Sequence, residues 1–273
     1  MNIKRFNEIT ETSDLITFLQ EMQRLNNVKA FNKYMRLSSV IRLLSTGVLL
    51  INNPKRMNDL YEYKAFSNQV DWSKICFCSF ITQSTESMAM WSMYAQPWDE
   101  GVLLSFPAAD FKQMVKNTHF LISAEYDEKN DAYNLGKDTI PCDGLLHMTR
   151  VAYSTGTTIT CTNRDDRNYH FPNPYTFPEL AGYIKDSAWD YEKETRLRVD
   201  LPASYQSDAA FIKIPDSLLS QITIVTGPRF EGNVLTTIPT RFKARIKIEP
   251  SKFKEKIAWI PCDTCECKKH NKK

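Results

Sequence analysis

Short apolar segments of strand type recur along the chain at uneven intervals, and no regular strand–helix–strand rhythm connects them. A doubly wound parallel sheet would need that rhythm, so the pattern is typical of the α+β class instead. We therefore predict a mixed, mostly antiparallel sheet core with flanking helices, in a single domain over residues 1–260. The predicted strands are 48–51, 75–80, 101–106, 120–126, 195–199, 211–214, 222–225 and 241–248.

Helical periodicity and cap residues predict three short helices. The first covers residues 13–26, with its apolar positions on one face. The second is capped by Ser38 or Ser39 and ends at Gly47, and the third is capped by Ser84. These helices would flank the sheet.

Two parts of the chain lack such patterns. Residues 127–178 are rich in Asn, Asp, Thr and Pro and predict an irregular insertion, with a helical piece near 143–151. Residues 261–273 form a basic, cysteine-rich tail. Cys262, Cys265, Cys267 and His270 are zinc-ligand types, but four ligands within nine residues leave no separate ligand pair. We favour a tail with free thiols, with zinc binding as the alternative.

Composition excludes several classes of protein. Hydrophobic residues make up 42% of the chain and charged residues 25%, which is typical of globular proteins and not of disordered ones. No apolar run reaches the ~18 residues of a membrane helix, and no secretory h-region is present. The seven cysteines do not suggest a disulfide framework, so we expect a cytoplasmic protein without a membrane partner. None of the eight glycines lies in a dinucleotide-binding or P-loop motif, and the four scattered histidines predict no metal centre.

The net charge of +3 conceals a strongly basic C-terminal part. Residues 241–273 hold eleven Lys and Arg against four Asp and Glu. Basic and apolar residues alternate over 241–248, which predicts a half-buried strand with a cationic outer face. Such a row could follow a nucleic-acid backbone, or it could protect an edge strand from aggregation. The predicted nucleic-acid-binding residues are Arg241, Lys243, Arg245 and Lys247.

An ordered series of sequence blocks resembles the bacterial family DUF2971. The most specific blocks are W-S-x-Y-A at Trp91 and W-x-Y-E-x-E-x-R at Trp189. Two departures are clear: the FNDPFE-like segment reads Met-Asn-Asp-Leu-Tyr-Glu at 57–62, and Met93 replaces the usual histidine. The blocks, over roughly residues 31–230, are 33–36, 52–54, 57–62, 75–80, 90–95, 101–106, 185–197 and 224–229.

The same order of blocks is more loosely similar to ADP-ribosyltransferase folds, and this similarity implies NAD as a substrate. In those folds an early strand grips NAD, a central strand carries a hydroxyl or aromatic residue, and a late strand supplies glutamate. The similarity implies that Glu194 and Glu192, in an E-x-E pattern, are catalytic. It implies cofactor-binding roles for Tyr34, Arg36, Ser79, Trp91 and Tyr94.

The residue types suit that chemistry. Cleavage of the nicotinamide–ribose bond develops positive charge on the ribose, which a nearby carboxylate stabilises. An arginine fork matches a pyrophosphate, and aromatic faces hold a flat ring. On a strand, Glu192 and Glu194 would share one face. The structural alternatives are a solvated edge strand for the glutamates and core anchors for Trp91 and Tyr94.

Two functional hypotheses follow. The first is an ADP-ribosyltransferase, a toxin-like or phage-defence effector that modifies nucleic acid and is restrained by an antitoxin protein. The second is a non-catalytic module that binds nucleic acid or protein with the same residues. The two differ in whether NAD is bound and consumed.

Overall fold

A computed structural model of the chain describes residues 12–56, 62, 70–154 and 178–256. Helices and strands follow one another within these ranges without a repeating unit, and the strands described from Phe120 to Lys213 succeed each other with no α-helix described between them. The helices are α1 (Thr12–Gln23), α2 (Leu37–Thr46), α3 (Met88–Tyr94), α4 (Ala108–Lys116), α5 (Asp216–Leu219) and α6 (Val234–Thr237). The strands are β1 (Ala30–Arg36), β2 (Val48–Asn52), β3 (Ile75–Ile81), β4 (Gly101–Pro107), β5 (Phe120–Asp127), β6 (Ala132–Pro141), β7 (Leu146–Arg150), β8 (Ala152–Ser154), β9 (Ile184–Asp186), β10 (Glu194–Asp200), β11 (Ala209–Lys213), β12 (Thr223–Thr226) and β13 (Lys247–Pro250).

One large sheet organises the described part of the chain. Its strands run in the order β13-β12-β4-β1-β3-β2-β11-β5-β6, and β10 pairs with both β3 and β7. In this sheet β12 and β13 pair in parallel, whereas the other paired strands run antiparallel. The predicted mixed, mostly antiparallel sheet with helices is therefore confirmed.

The main core lies where α2 and α4 cover the sheet. Phe31 of β1 and Phe111 of α4 are fully buried, with ring centroids 5.4 Å apart. Phe80 and Phe106 complete this aromatic cluster. Burial of each large apolar side chain contributes about 1.5–3 kcal/mol, so this cluster fixes β1, β3 and β4 beneath the helices.

The predicted strands are confirmed except the last, but two helix caps are placed wrongly. Ser87 rather than Ser84 caps α3, and its hydroxyl accepts a hydrogen bond from the Met90 amide. The second helix begins directly after Arg36, without a side-chain cap, and ends at Gly47 as predicted. Gly47 has a φ of 68°, which explains why glycine ends this helix.

The predicted helical piece near 143–151 is wrong, because residues 146–150 form strand β7 and turns precede it. Strand β7 pairs along β10, and this long-range pairing satisfies its backbone where no local periodicity indicated a strand. Within the predicted irregular insertion over 127–178, residues 132–141 form strand β6, which pairs with β5. Residues 155–177 of this insertion and the tail 261–273 lie outside the described residues.

The predicted cationic strand over 241–248 is also wrong. A 3-10 helix covers Thr240–Phe242, turns follow it, and only Lys247 of the four basic residues lies on a strand, β13. Phe242 and Ile246 are the buried residues of this segment, a spacing of four that fits a helical turn. Arg241 donates to the Leu44 carbonyl and approaches Asp216, so the four cations do not form one row.

Among the described residues, no helix combines the length and the apolar character that crossing a membrane requires.

Gly101 allows the loop after α3 to return closely to β4. A Cβ atom at this position would lie 2.5 Å from the Ala95 carbonyl oxygen. We expect Gly101→Ala to lower the free energy of unfolding by about 1–3 kcal/mol, because backbone rather than a flexible side chain must move. Urea unfolding followed by circular dichroism measures this change, and a variant as stable as wild type would contradict it.

Candidate active site

A cleft of about 750 Å³ opens over the sheet and is bordered by α2 and α3. Strands β1, β2, β3 and β10 contribute side chains to it. Five of the sequence-predicted site residues line this cleft: Tyr34, Ser79, Tyr94, Glu192 and Glu194. The cleft therefore brings together most of the residues that the sequence placed in one site.

Strand pairing explains why residues so distant in sequence meet here. Asn32 of β1 is paired with Ile81 of β3, and Ile81 is paired with Glu194 of β10. Ser79, two residues before Ile81, is paired with Arg196. Three neighbouring strands thus carry the tyrosine, hydroxyl and carboxylate groups of the cleft.

A buried network of charged side chains lines part of the cleft. The Lys185 ammonium lies 2.6 Å from Glu192 Oε2 and 3.6 Å from Glu194 Oε2. The Arg196 guanidinium donates to both oxygens of Glu194, at 2.8 and 3.0 Å, and to both oxygens of Glu62. Each of these five residues is at most 7% exposed. Because a buried ionic network is often less stabilising than apolar packing, its position in a cleft suggests a functional role.

The pKa values of the two glutamates that Arg196 contacts are shifted in opposite directions. Burial alone would raise the pKa of Glu194, but the charges of Arg196 and Lys185 outweigh it and hold this pKa at about 2. At Glu62, burial outweighs Arg196 and raises the pKa above its usual range. Glu194 is therefore an anion at neutral pH and is too weak a base to remove a proton.

Glu192 lies at the boundary between the network and the cleft. Its Oε1 accepts a hydrogen bond from the Tyr94 hydroxyl, and its Oε2 accepts one from Lys185. Burial, followed by the hydrogen bond to Glu192, raises the pKa of Tyr94, so the phenol remains a donor. The phenol and the ammonium fix the orientation of the Glu192 carboxylate.

The two glutamates converge, but not as the sequence suggested. Glu192 ends a 3-10 helix (Ser187–Glu192), and Lys193 takes a left-handed conformation before β10 begins at Glu194. The prediction that both lie on one strand face is wrong. Lys185, on β9, brings the two carboxylates together instead.

Tyr34 and Trp91 pack against each other beside the cleft. Their ring centroids are 4.7 Å apart in an edge-to-face arrangement, and the Trp91 indole donates to Glu86 at 3.0 Å. Trp91 is fully buried, so it has no free face for a ligand and supports Tyr34. Burial raises the pKa of Tyr34 to about 12, and its hydroxyl accepts a hydrogen bond from the Ser87 amide.

Arg36 does not belong to the cleft lining. Its guanidinium is exposed and donates to the Gln96 carbonyl at 2.7 Å, at the end of β1. The structure therefore does not bring Arg36 together with the cleft residues. Arg36 instead contacts the loop that follows α3.

The sequence predicted no site role for six of the charged residues that line the cleft, namely Lys33, Arg42, Glu62, Asp131, Lys185 and Arg196. Lys185 and Arg196 belong to the W-x-Y-E-x-E-x-R region, and this block was the signal that could have identified them. Glu62 lies in the altered FNDPFE-like segment. Lys33 precedes Tyr34 on β1 and donates to the Ser79 carbonyl at 3.0 Å.

Metal-ligand clustering is absent from the described residues, where no group of three or more His, Cys, Asp and Glu side chains could hold an ion. Cys76, Cys78 and Cys142 are buried free thiols. Burial raises the pKa of Cys78, which keeps this cleft thiol protonated. The predicted alternative of a zinc site at Cys262 and its neighbours lies outside the described residues.

Comparison with known proteins relates part of the chain to a protein family. No curated protein and no solved structure matches the chain significantly. The model of the family "Protein of unknown function (DUF2971)" matches residues 90–197, a range that includes most of α3, the first four residues of β10 and both cleft glutamates. The resemblance to DUF2971 is thereby confirmed, and residues 90–197 are the part of this chain that carries the family signature.

Proposed function

We propose that the cleft binds NAD and transfers its ADP-ribosyl group, so that the chain acts as an ADP-ribosyltransferase. The observation that carries the proposal is the oriented Glu192 carboxylate, beside Tyr94, in a cleft of about 750 Å³. Tyr34 and Ser79, on adjacent strands, line the same cleft and belong to the set that the similarity to ADP-ribosyltransferase folds implies. Cavities of this size hold drug-sized or cofactor-sized ligands.

Glu192 has the central role in this proposal. As the bond between the nicotinamide nitrogen and ribose C1′ breaks, its electron pair leaves with nicotinamide and positive charge develops on the ribose. The fixed carboxylate of Glu192 stabilises that charge in a site where water is largely excluded. An acceptor nucleophile then bonds to C1′ and releases its proton to solvent water.

The other cleft residues position these groups. Glu194 is held by Arg196 and keeps Lys185 next to Glu192, so we assign it a positioning role. Tyr94 orients Glu192 and offers its half-buried ring to the nicotinamide. Trp91, predicted to contact the cofactor, contributes through Tyr34 instead.

The class of molecule that accepts the ADP-ribosyl group is tested separately. The row of cations that suggested nucleic acid as this acceptor does not form. Arg241, Lys243 and Arg245 are nevertheless exposed and basic, so RNA and DNA stay among the proposed acceptors. The non-catalytic binding module is the alternative outcome. It predicts that the chain binds a macromolecule without consuming NAD.

Transfer of the ADP-ribosyl group can be measured with NAD labelled in its adenylate part. The full chain is incubated with RNA, with DNA and with a bacterial protein extract, and the label on each macromolecule is counted. We expect label on one of these acceptors with wild type and far less with Glu192→Gln. Equal label from both proteins on all three acceptors would overturn the proposal.

A further inference from the structure

Lys33 is a cleft cation without a carboxylate partner among the described residues. Its side chain is half-buried, and its ammonium donates to the Ser79 carbonyl at 3.0 Å. The described ion pairs do not include it. A partly buried ammonium without a counter-ion is costly, which favours an anionic ligand beside it.

The acidic residues that line the cleft are already engaged elsewhere. Lys185 and Arg196 hold Glu192 and Glu194, and Arg196 also holds Glu62. Asp131, the remaining acidic residue of the lining, accepts a hydrogen bond from the Tyr126 hydroxyl. The positive charge of Lys33 therefore stays available to a ligand.

Arg42 adds a second cation at the rim of the same cleft. It projects from α2 with Ser39, one turn earlier, and one of its terminal nitrogens donates to the Tyr133 carbonyl. This hydrogen bond anchors the guanidinium and leaves further N–H donors, since guanidinium carries five. The described ion pairs do not include Arg42 either.

We infer that Lys33, assisted by Arg42, binds the two phosphates of a nucleoside diphosphate in this cleft. The inference deepens the proposed function and rests on it for the identity of the ligand, the ADP part of NAD. Lys33 is next to Tyr34 on β1, and the similarity to ADP-ribosyltransferase folds had implied cofactor-binding roles for Tyr34 and Arg36 on the same strand. Lys33 and Glu192 line the same cleft, so a ligand whose diphosphate lies at Lys33 would share that cleft with the Glu192 carboxylate.

The test measures the dissociation constants of ADP and adenosine by calorimetry. We expect Lys33→Met to weaken ADP binding about tenfold to hundredfold, the loss of one or two charge-assisted contacts. Adenosine binding should not change, and Lys33→Arg should recover most of the affinity for ADP. Lys213→Met, an exposed lysine on β11 outside the cleft lining, is the matched control.

The phosphate site and the transfer reaction can fail independently, because ADP lacks the nicotinamide–ribose bond. If ADP binding depends on Lys33 but NAD is not consumed, the phosphate site stands and ADP-ribosyl transfer is rejected. If wild type does not bind ADP, or Lys33→Met binds it as tightly as wild type, the inference is overturned. Thermal unfolding of each variant confirms that it is folded before binding is measured.

Discussion

Replacement of Arg196 by methionine is expected to lower the free energy of unfolding by about 3–5 kcal/mol. The guanidinium lies between Glu62 and Glu194 and also donates to the Gly182 carbonyl at 2.7 Å. Its removal leaves buried carboxylates without the cation that balances them, and methionine cannot replace those hydrogen bonds. The same substitution at Arg245, which is exposed, should change stability by no more than about 0.5 kcal/mol.

Acid should narrow the difference between Arg196→Met and wild type. In wild type the folded pKa of Glu194 is about 2, below its ordinary 4.5, so its contribution is present above pH 4.5 and is lost as the pH falls toward 2. Without Arg196 this pKa rises, and the folded variant takes up a proton more readily than wild type does. Denaturant unfolding at pH 4 and pH 7.5 measures both proteins. A difference below 1 kcal/mol at pH 7.5, or one that grows in acid, would contradict this account.

Glu192→Gln is expected to lower the rate of ADP-ribosyl transfer by about 100-fold to 1000-fold, the loss typical of one transition-state-stabilising group. The amide has the same shape and still accepts the Tyr94 hydrogen bond, but it carries no charge. Lys185 keeps Glu194 as a partner at 3.6 Å, so the variant should remain folded. Single-turnover transfer from labelled NAD measures the rate.

Two further variants make this result specific. Glu125→Gln, an exposed position on β5, should transfer at the wild-type rate. Glu194→Gln should lower stability as well as rate, because its carboxylate balances both Arg196 and Lys185. A Glu192→Gln protein that is folded and transfers as fast as wild type would remove Glu192 from the mechanism.

Local sequence patterns correctly predicted those helices and strands whose formation depends on nearby residues. The strand over Ile75–Ile81 is apolar and buried, and Gly47 supplies the left-handed residue that ends α2. The prediction of a strand over 241–248 was wrong because basic and apolar residues alternate there with a period of two, which is the pattern of a half-buried strand. Burial of Phe242 and Ile246 matches a helical turn instead, and only tertiary packing distinguishes the two.

The sequence identified the glutamates of the cleft but not what holds them. The E-x-E pattern selected Glu192 and Glu194, whereas their convergence depends on Lys185 from another strand and on the left-handed Lys193 between them. Arg36 and Trp91 suited ligand binding by residue type, yet one lies outside the cleft lining and the other is fully buried. The spacing of residues along the chain does not predict which distant strands pair or which side chains are buried.

The most direct test of the account is the release of nicotinamide from NAD. Wild-type protein, NAD and the acceptor mixture are incubated together, and free nicotinamide is followed by proton NMR. The account predicts nicotinamide in an amount equal to the ADP-ribosyl product, with Glu192→Gln releasing it at least about 100-fold more slowly. NAD that remains intact with folded wild-type protein and every acceptor would contradict the central claim.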